Sequence, residues 1–369
     1  MPTMERRRVG LRELNRWTLA RQMLLERAEL DPVTAIERLA GLQAQWPRSP
    51  YVALWSRLRD FRPGDLESAL IEGRVVKSNL MRVTLHLVSA ADFHLYRAAI
   101  RTDSQSGWAG SAAAAGESLE AIRAALIARA ASGPLPRAEA LAVMEALAPH
   151  LEDLDRRRLW YLLKSAHLVA DPHHALFSSA PHGEHVLAPK QLEVAHDVAL
   201  THLVRSHLAA FGPASRADTA DWSGQTVGSL LPGYAALGEE LVEFTGPNGE
   251  SLFDLVGSPR PPAEVDAPVR FLAKWDSVLL GHKRRNRMIS DEHRKVVIRK
   301  NGDVTETFTV DGFVAGTWGA SHARGVVTLD LAPFIPLPKR VAAELEAEGE
   351  GLLHFLSPEA KSVSIRGLG

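Results

Sequence analysis

Met81-Arg82-Val83-Thr84-Leu85-His86-Leu87-Val88, preceded by Val75-Val76, alternates with a period of two. That period belongs to strands with one face on a core, and two such runs a few residues apart predict a β-hairpin. Upstream the apolar period lengthens. Leu11, Leu14, Trp17, Leu24 and Leu25 predict a helix over 11–28. Asp31-Pro32 sets a capping carboxylate and a first-turn proline ahead of Val33, Ile36, Leu39 and Ala40. Further short helices are expected over Tyr51 to Leu58 and Pro63 to Ile71. Three helices and a hairpin make a winged helix.

The pattern recurs. A long helix from Ser118 to Ala131 breaks at Ser132-Gly133-Pro134-Leu135-Pro136-Arg137-Ala138-Glu139, and helices follow at about 137–147 and 155–166. Leu168 to Asp171 and Ala175 to Ser178, around Pro172-His173-His174, predict a small wing. Another helix at about 192–210 breaks at Phe211-Gly212-Pro213-Ala214-Ser215-Arg216-Ala217-Asp218, repeating Gly-Pro-x-x-Arg-Ala-acid 79 residues later. Beyond the linker-like Ser258-Pro-Arg-Pro-Pro262 the texture changes. Alternating segments are expected at about 268–281, 294–300, 304–309, 312–318 and 325–331, with Asn301-Gly302 and Asp311-Gly312 as hairpin turns and a late helix at about 337–349. The expected fold class is α+β: winged helices over 1–110, 111–190 and 191–262, then a β-rich region over 263–369.

Composition excludes several classes. There is no cysteine, hence no disulfide, thiolate metal site or cysteine nucleophile. Hydrophobic residues at 46% and charged residues at 24% describe a globular chain. The lack of a long apolar run or signal-peptide core predicts a cytoplasmic protein without a membrane partner. Net charge is −1, but His282 to Lys300 holds eight Lys or Arg against Asp291 and Glu292. A cluster of that kind suits phosphate contact, since affinity follows local neutralisation; a solvated charged hairpin is the plainer alternative.

Gly41-Leu42-Gln43-Ala44-Gln45-Trp46-Pro47-Arg48-Ser49-Pro50-Tyr51 lies between two helix patterns. Gly41 is a plausible helix stop, and Pro47 pushes Trp46 out of the α region. On extended backbone Gln43 and Gln45 project the same way. Two neutral amides aimed at one spot can hold a water or face a developing charge; capping glutamines in a structural loop are the plainer alternative. His86 is read equally as a packed histidine or a DNA contact. His173, His174, His182 and His185 lack a metal-ligand spacing and read as a polar wing. Gly107 to Gly116 lacks a Lys-Ser/Thr partner and reads as a connector.

Three tandem winged helices, Gly41-Leu42-Gln43-Ala44-Gln45, Arg82-Val83-Thr84-Leu85-His86, Lys274-Trp275-Asp276-Ser277 through Arg287, and Asp311-Gly312-Phe313-Val314-Ala315-Gly316-Thr317-Trp318 together resemble the bacterial winged-helix DNA glycosylases. The resemblance covers essentially the whole chain. Gln45, where a sister subfamily carries aspartate, is similar to the azinomycin-resistance (AlkZ-like) branch, whose members remove alkylated purines, including crosslinked ones. The resemblance implies a C-shaped arrangement around a DNA channel, with the glutamine motif and a β-hairpin near Gly281 to Arg287 facing the lesion. It implies catalytic Gln43 and Gln45 and DNA contacts from Arg48, Thr84, His86, Lys283, Arg284, Arg285, Asn286 and Arg287. The expected partner is duplex DNA carrying alkylated purines, bound by a monomer with no cofactor and no metal.

An N7-alkylated guanine is already cationic and leaves without a general acid, so positioning of water and electrostatics are the main needs. Lacking a carboxylate at Gln45, such a site is restricted to activated leaving groups. No lysine Schiff base is required, which implies a monofunctional glycosylase. The other class of protein compatible with these elements is a non-catalytic DNA-binding regulator, which would show a preferred operator.

Overall fold

Capping and alternation start the elements where the residues direct. In the computed structural model, which describes residues 7–100, 119–147, 168–179, 183–189, 192–323 and 325–368, the order begins α1 (Leu11–Arg21), α2 (Pro32–Arg38), β1 (Leu42–Gln43), α3 (Ser49–Trp55), α4 (Pro63–Ile71), β2 (Val75–Asn79), β3 (Leu85–Ser89) and α5 (Ala90–Ala99). The Asp31 carboxylate accepts the N–H groups of Val33 and Thr34, and Pro32 fills the first turn of α2. α1 stops earlier than the periodicity predicts: Met23 adopts a left-handed conformation (φ 55°), and its neighbour Leu24 donates back to Leu19 O. β3 is the middle strand of a sheet ordered β1-β3-β2. Met81–Val83, expected as strand, is a 3-10 turn between β2 and β3.

The middle of the chain contributes α6 (Leu119–Ala131), α7 (Arg137–Leu147), β4 (Leu168–Ala170) and β5 (His185–Leu187). The expected helix at 155–166, the glycine-rich connector and His182 lie outside the described residues. The predicted small wing needs correction. β4 pairs with His185–Leu187, not with Ala175 to Ser178. Asp171 caps a 3-10 turn at Pro172–His174, which removes that stretch from any ladder.

α8 (His196–Phe211), α9 (Arg216–Ser223), α10 (Val227–Leu237), β6 (Leu241–Thr245) and β7 (Ser251–Leu255) follow. Ser215 and Asp218 form a reciprocal capping box at the start of α9, in the second copy of the repeated motif. The last third holds β8 (Arg270–Leu272), α11 (Asp291–Val297), β9 (Thr307–Val310), β10 (Phe313–Ala323), β11 (Val326–Pro333), α12 (Lys339–Leu356) and β12 (Ser362–Arg366). Its sheet runs β12-β11-β10-β9-β8. Asp311-Gly312 turns β9 into β10 with positive φ at both residues, as a two-residue hairpin turn requires. β11 and β12 are parallel, so the chain must cross over, and α12 is that crossover.

Two expectations for this region are overturned. Residues 294–300 are not a strand: Ser290 accepts the N–H of His293 and launches α11. The segment from Gly281 to Ser290 is a loop with a turn at Arg285–Met288 that leads into α11, not a β-hairpin.

The parts share cores rather than lying apart. One cluster joins Leu39, Tyr51 and Leu54 of the first helices to Phe271, Phe308, Trp318, Leu345 and Leu352 of the last sheet and helix. A second joins Val88 and Phe93 to Leu203, Phe211 and Trp222. The first unit is therefore packed on both sides, and β1 lies where the surfaces meet. The architecture is α+β, as the sequence predicts. Among the described residues no helix is long and apolar enough to cross a membrane.

Candidate functional site: a cavity lined by paired amides

Ala40 and Gly41 take left-handed backbone after α2 (φ 55° and 90°). This turn lets Gly41 N–H close on Ile36 O and sends the chain into β1. A β-carbon at Gly41 would meet Val88 at 3.0 Å and Leu87 O at 3.3 Å, so strand approach and φ both call for glycine. β1 then pairs Leu42 with Leu87 and Gln43 with His86, and Ala44 N–H donates to Leu85 O. Extended backbone sorts the side chains by parity. Leu42 and Ala44 go into the core; Gln43 and Gln45 line a cavity of about 520 Å³.

Arg82, Thr84, Trp275, Leu280, Arg285 and the Asn301 to Val304 turn also line this cavity. Gln43 is 7% exposed, and its Oε1 accepts from Arg82 Nη2 at 2.9 Å. Gln45 Oε1 is buried and has no hydrogen-bond partner among the described residues. Leaving an amide oxygen buried and unpaired costs about 1–3 kcal/mol, so this atom marks a place where a donor belongs. Arg285 Nε is likewise buried without a partner, and burial lowers the Arg285 pKa.

Trp275 has left-handed backbone (φ 54°), and its Nε1 donates to Gly302 O at 3.1 Å. Behind it, Asp276 receives a two-pronged bond from Arg57 at 2.6 and 2.9 Å, with both side chains fully buried. This pair ties the end of α3 to the last third of the chain and holds Trp275 at the cavity wall. The carboxylate on that wall, Asp303, is ion-paired to Lys274 at 3.1 Å and Arg299 at 3.7 Å.

The other expected contacts divide. Thr84 reaches the cavity, but its hydroxyl donates back to Met81 O. His86 is buried, its Nδ1 2.9 Å from Thr84 O, and burial, with the Arg82 charge second, pushes its pKa down to about 3. Of the two readings its position allows, the described geometry is that of a packed histidine. Arg48 is exposed and lies over the Phe177 ring at 5.0 Å, away from the amides.

The basic loop faces three ways. Arg285 turns to the amide cavity. Lys283, Arg284 and Asn286 line a second, larger cleft of about 980 Å³, with Arg216, Glu243 and the β6–β7 turn. Lys283 and Arg284 are exposed there. Arg287 touches the floor of that cleft but is only 5% exposed. Its guanidinium donates to Thr18 Oγ1, Phe211 O and Pro213 O, and burial brings its pKa to about 10. Arg287 is therefore held from inside, by oxygens of α1 and of the α8–α9 junction. Arg82 sits in a sequence motif that gives it no role of its own, and Asp303 sits in a turn signal. Only the side chains meeting across the cavity reveal them.

The site so described is an α+β fold with an amide pair and arginines around one cavity, and comparison with known proteins places it in a family. The chain belongs to the family described as DNA glycosylase AlkZ-like, whose model matches residues 36–355. That span includes both glutamines, Arg82, Trp275 and the basic loop. Among solved structures, Streptomyces sahachiroi DNA glycosylase AlkZ is similar with a TM-score of 0.78, covering 97% of this chain and 99% of that one at 18% identity. The likeness is one of fold. No curated protein sequence matches the chain.

Proposed function

We propose that the protein is a monofunctional DNA glycosylase that hydrolyses the N-glycosidic bond of cationic alkylpurines, bulky N7-alkylguanine adducts and crosslinked forms among them. The helix and hairpin units are read as winged helices set around a duplex, acting in repair or in self-resistance to a genotoxic natural product, as a cytoplasmic monomer. The observation that carries the reading is Gln45 Oε1, buried without a partner among the described residues in the cavity it lines with Gln43. In the reaction, the C1′–N9 bond breaks and its electron pair neutralises the cationic purine. Water bonds to C1′, and its proton leaves by way of the Gln45 carbonyl to solvent. A neutral amide is a weak base, so the chemistry depends on a leaving group already activated by alkylation. Positioning the water and facing the sugar's positive charge with amide oxygen supply the remainder. Lys283, Arg284 and Asn286 are assigned to the DNA backbone and Arg285 to the duplex near the lesion. A bulky or crosslinked base does not swing freely into a closed pocket, so extrusion from the stack is reduced or absent on this reading.

The test is incubation of the full chain with a duplex carrying N7-methylguanine, followed by free-base detection and alkaline cleavage. The expected result is release of the methylated base, with strand breakage only after alkali. Sequence-preferring binding without base release would instead identify a regulator.

A further inference from the structure

We infer that Arg82 is a positioning residue: it fixes the Gln43 amide so that Gln43 serves as hydrogen-bond donor and Gln45 as acceptor for the attacking water. This rests on the glycosylase reading and assigns the two glutamines different roles.

Backbone conformation singles out the Arg82 turn. Arg82 and Val83 both have left-handed φ values, 52° and 58°. Such conformations cost of order 1–3 kcal/mol each and persist where their surroundings over-determine them. Here the surroundings come from another unit. Gly224, between α9 and α10, lies so close that a β-carbon there would sit 3.0 Å from Arg82 N and Cα. From that backbone the side chain spans two parts of the molecule. Nη1 donates to Trp222 O, and Nη2 donates to Gln43 Oε1 at 2.9 Å.

A guanidinium has donors only. Whatever atom of the Gln43 amide faces Arg82 must therefore be the oxygen, which leaves the two Nε2 hydrogens for the cavity. Gln45 offers the complement, a buried oxygen with no hydrogen-bond partner among the described residues. A water between them accepts from Gln43 and donates to Gln45, with a lone pair left for C1′. Arg82 directs its two Nη groups at Gln43 Oε1 and Trp222 O. Without Arg82, the amide can rotate and present either end.

The experiment uses the full chain, with Arg82→Met, Gln43→Ala and the double variant, under single-turnover conditions on N7-methylguanine duplex. DNA affinity and thermal unfolding are measured alongside. Arg82→Met is expected to slow excision about 10-fold to 100-fold, on the scale of misplaced catalytic groups. It should slow nothing further in the Gln43→Ala background, because the residue acts through that amide. Equal slowing in both backgrounds would overturn the inference and leave a general structural role. Gln43→Glu keeps an oxygen for Arg82 but donates nothing to water, and is expected to be as slow as Gln43→Ala. Gln45→Glu keeps an acceptor and should retain activity. A readout without catalysis separates this idea from the glycosylase reading. In glutamine-¹⁵N-labelled protein, the Gln43 side-chain N–H pair, assigned by its loss in Gln43→Ala, should move toward free-amide shifts in Arg82→Met. If that pair is unchanged, Arg82 does not hold the amide, whatever the protein excises. If it moves while the unaltered protein releases no alkylated base, the positioning stands and the glycosylase reading fails.

Discussion

The amide cavity and the larger cleft are built oppositely. The amide cavity draws its walls from β1, the Arg82 turn, Trp275 and the Asn301 turn, and behind it lie fully buried Arg57 and Asp276. The larger cleft is lined by the β6–β7 turn, the start of α9 and exposed Lys283 and Arg284. A neutral amide pair held rigid among buried groups suits a step that needs placement, whereas exposed cations on a loop suit contact with a uniform polyanion. The contrast predicts that damage to one cavity shows in turnover and damage to the other in binding.

The largest effect is expected from the brace itself. Asp276→Ala leaves Arg57 charged and buried without its partner, a change that costs about 3–5 kcal/mol in comparable pairs. Denaturant unfolding should register that loss, and a change below about 1 kcal/mol would mean that water reaches the pair. Next comes the amide pair. The combined Gln43→Ala and Gln45→Ala variant should excise about 100-fold or more slowly, the scale on which a preorganised polar group acts. Its affinity for the same duplex should stay within about threefold, a change worth less than about 1 kcal/mol. Equal losses in both measurements would erase the distinction between the cavities.

Protonation probes the packing between them. His207 contacts Gly281 O and Thr219 Oγ1 at 2.8 and 2.9 Å, and burial lowers its pKa to about 4. His86, beneath the amides, is lowered to about 3, and His282 is also lowered by burial. Folded, these rings stay neutral where an unfolded histidine, near 6.5, takes up a proton. Their stability contribution is therefore complete above pH 6.5 and is lost as the pH falls through the window down to about 3. The slope is roughly 1 kcal/mol per pH unit for each ring. Urea unfolding at pH 7 and 5.5 measures it. Equal stability at the two values would mean that the rings are hydrated.

Local chemistry is legible in the sequence where it is self-contained. Asp31-Pro32 starts α2, Asp311-Gly312 turns a hairpin, and the Gly-Pro-x-x-Arg-Ala-acid motif ends in a capping box at α9. The side-by-side projection of Gln43 and Gln45 follows from extended backbone, which pairing with β3 holds in place. What is illegible depends on partners far along the chain. Lys283, Arg284 and Arg287 look alike in a basic run, yet Thr18, Phe211 and Pro213 supply the oxygens that draw only Arg287 inward. Residues 294–300 read as a strand in the sequence, but the Ser290 cap and the core position of Val297 make a helix of its first part. β12, absent from the expected strands, exists because α12 returns the chain alongside β11. Arg82 is the sharpest case. Its residue type is ordinary, and its meaning comes from Gln43 on one side and Trp222 on the other.

The smallest effect sharpens the comparison most, because it asks the larger cleft to act alone. Lys283 and Arg284 are exposed, and the fixed bond near them is made by backbone: Lys283 N–H donates to Asp218 Oδ1 at 2.9 Å. Replacing both side chains with alanine leaves that bond in place. Removing one cation from a phosphate should reduce the slope of log affinity against log salt by about 1. The double variant should therefore bind undamaged and damaged duplex with a slope shallower by about 2 and weaken both alike, since phosphate contacts carry no base information. Excision at saturating enzyme should be unaltered, because the amides and Arg82 are untouched. A slower chemical step at saturation, with an unchanged salt slope, would move these two cations from the backbone to the lesion and merge the two cavities into one functional surface.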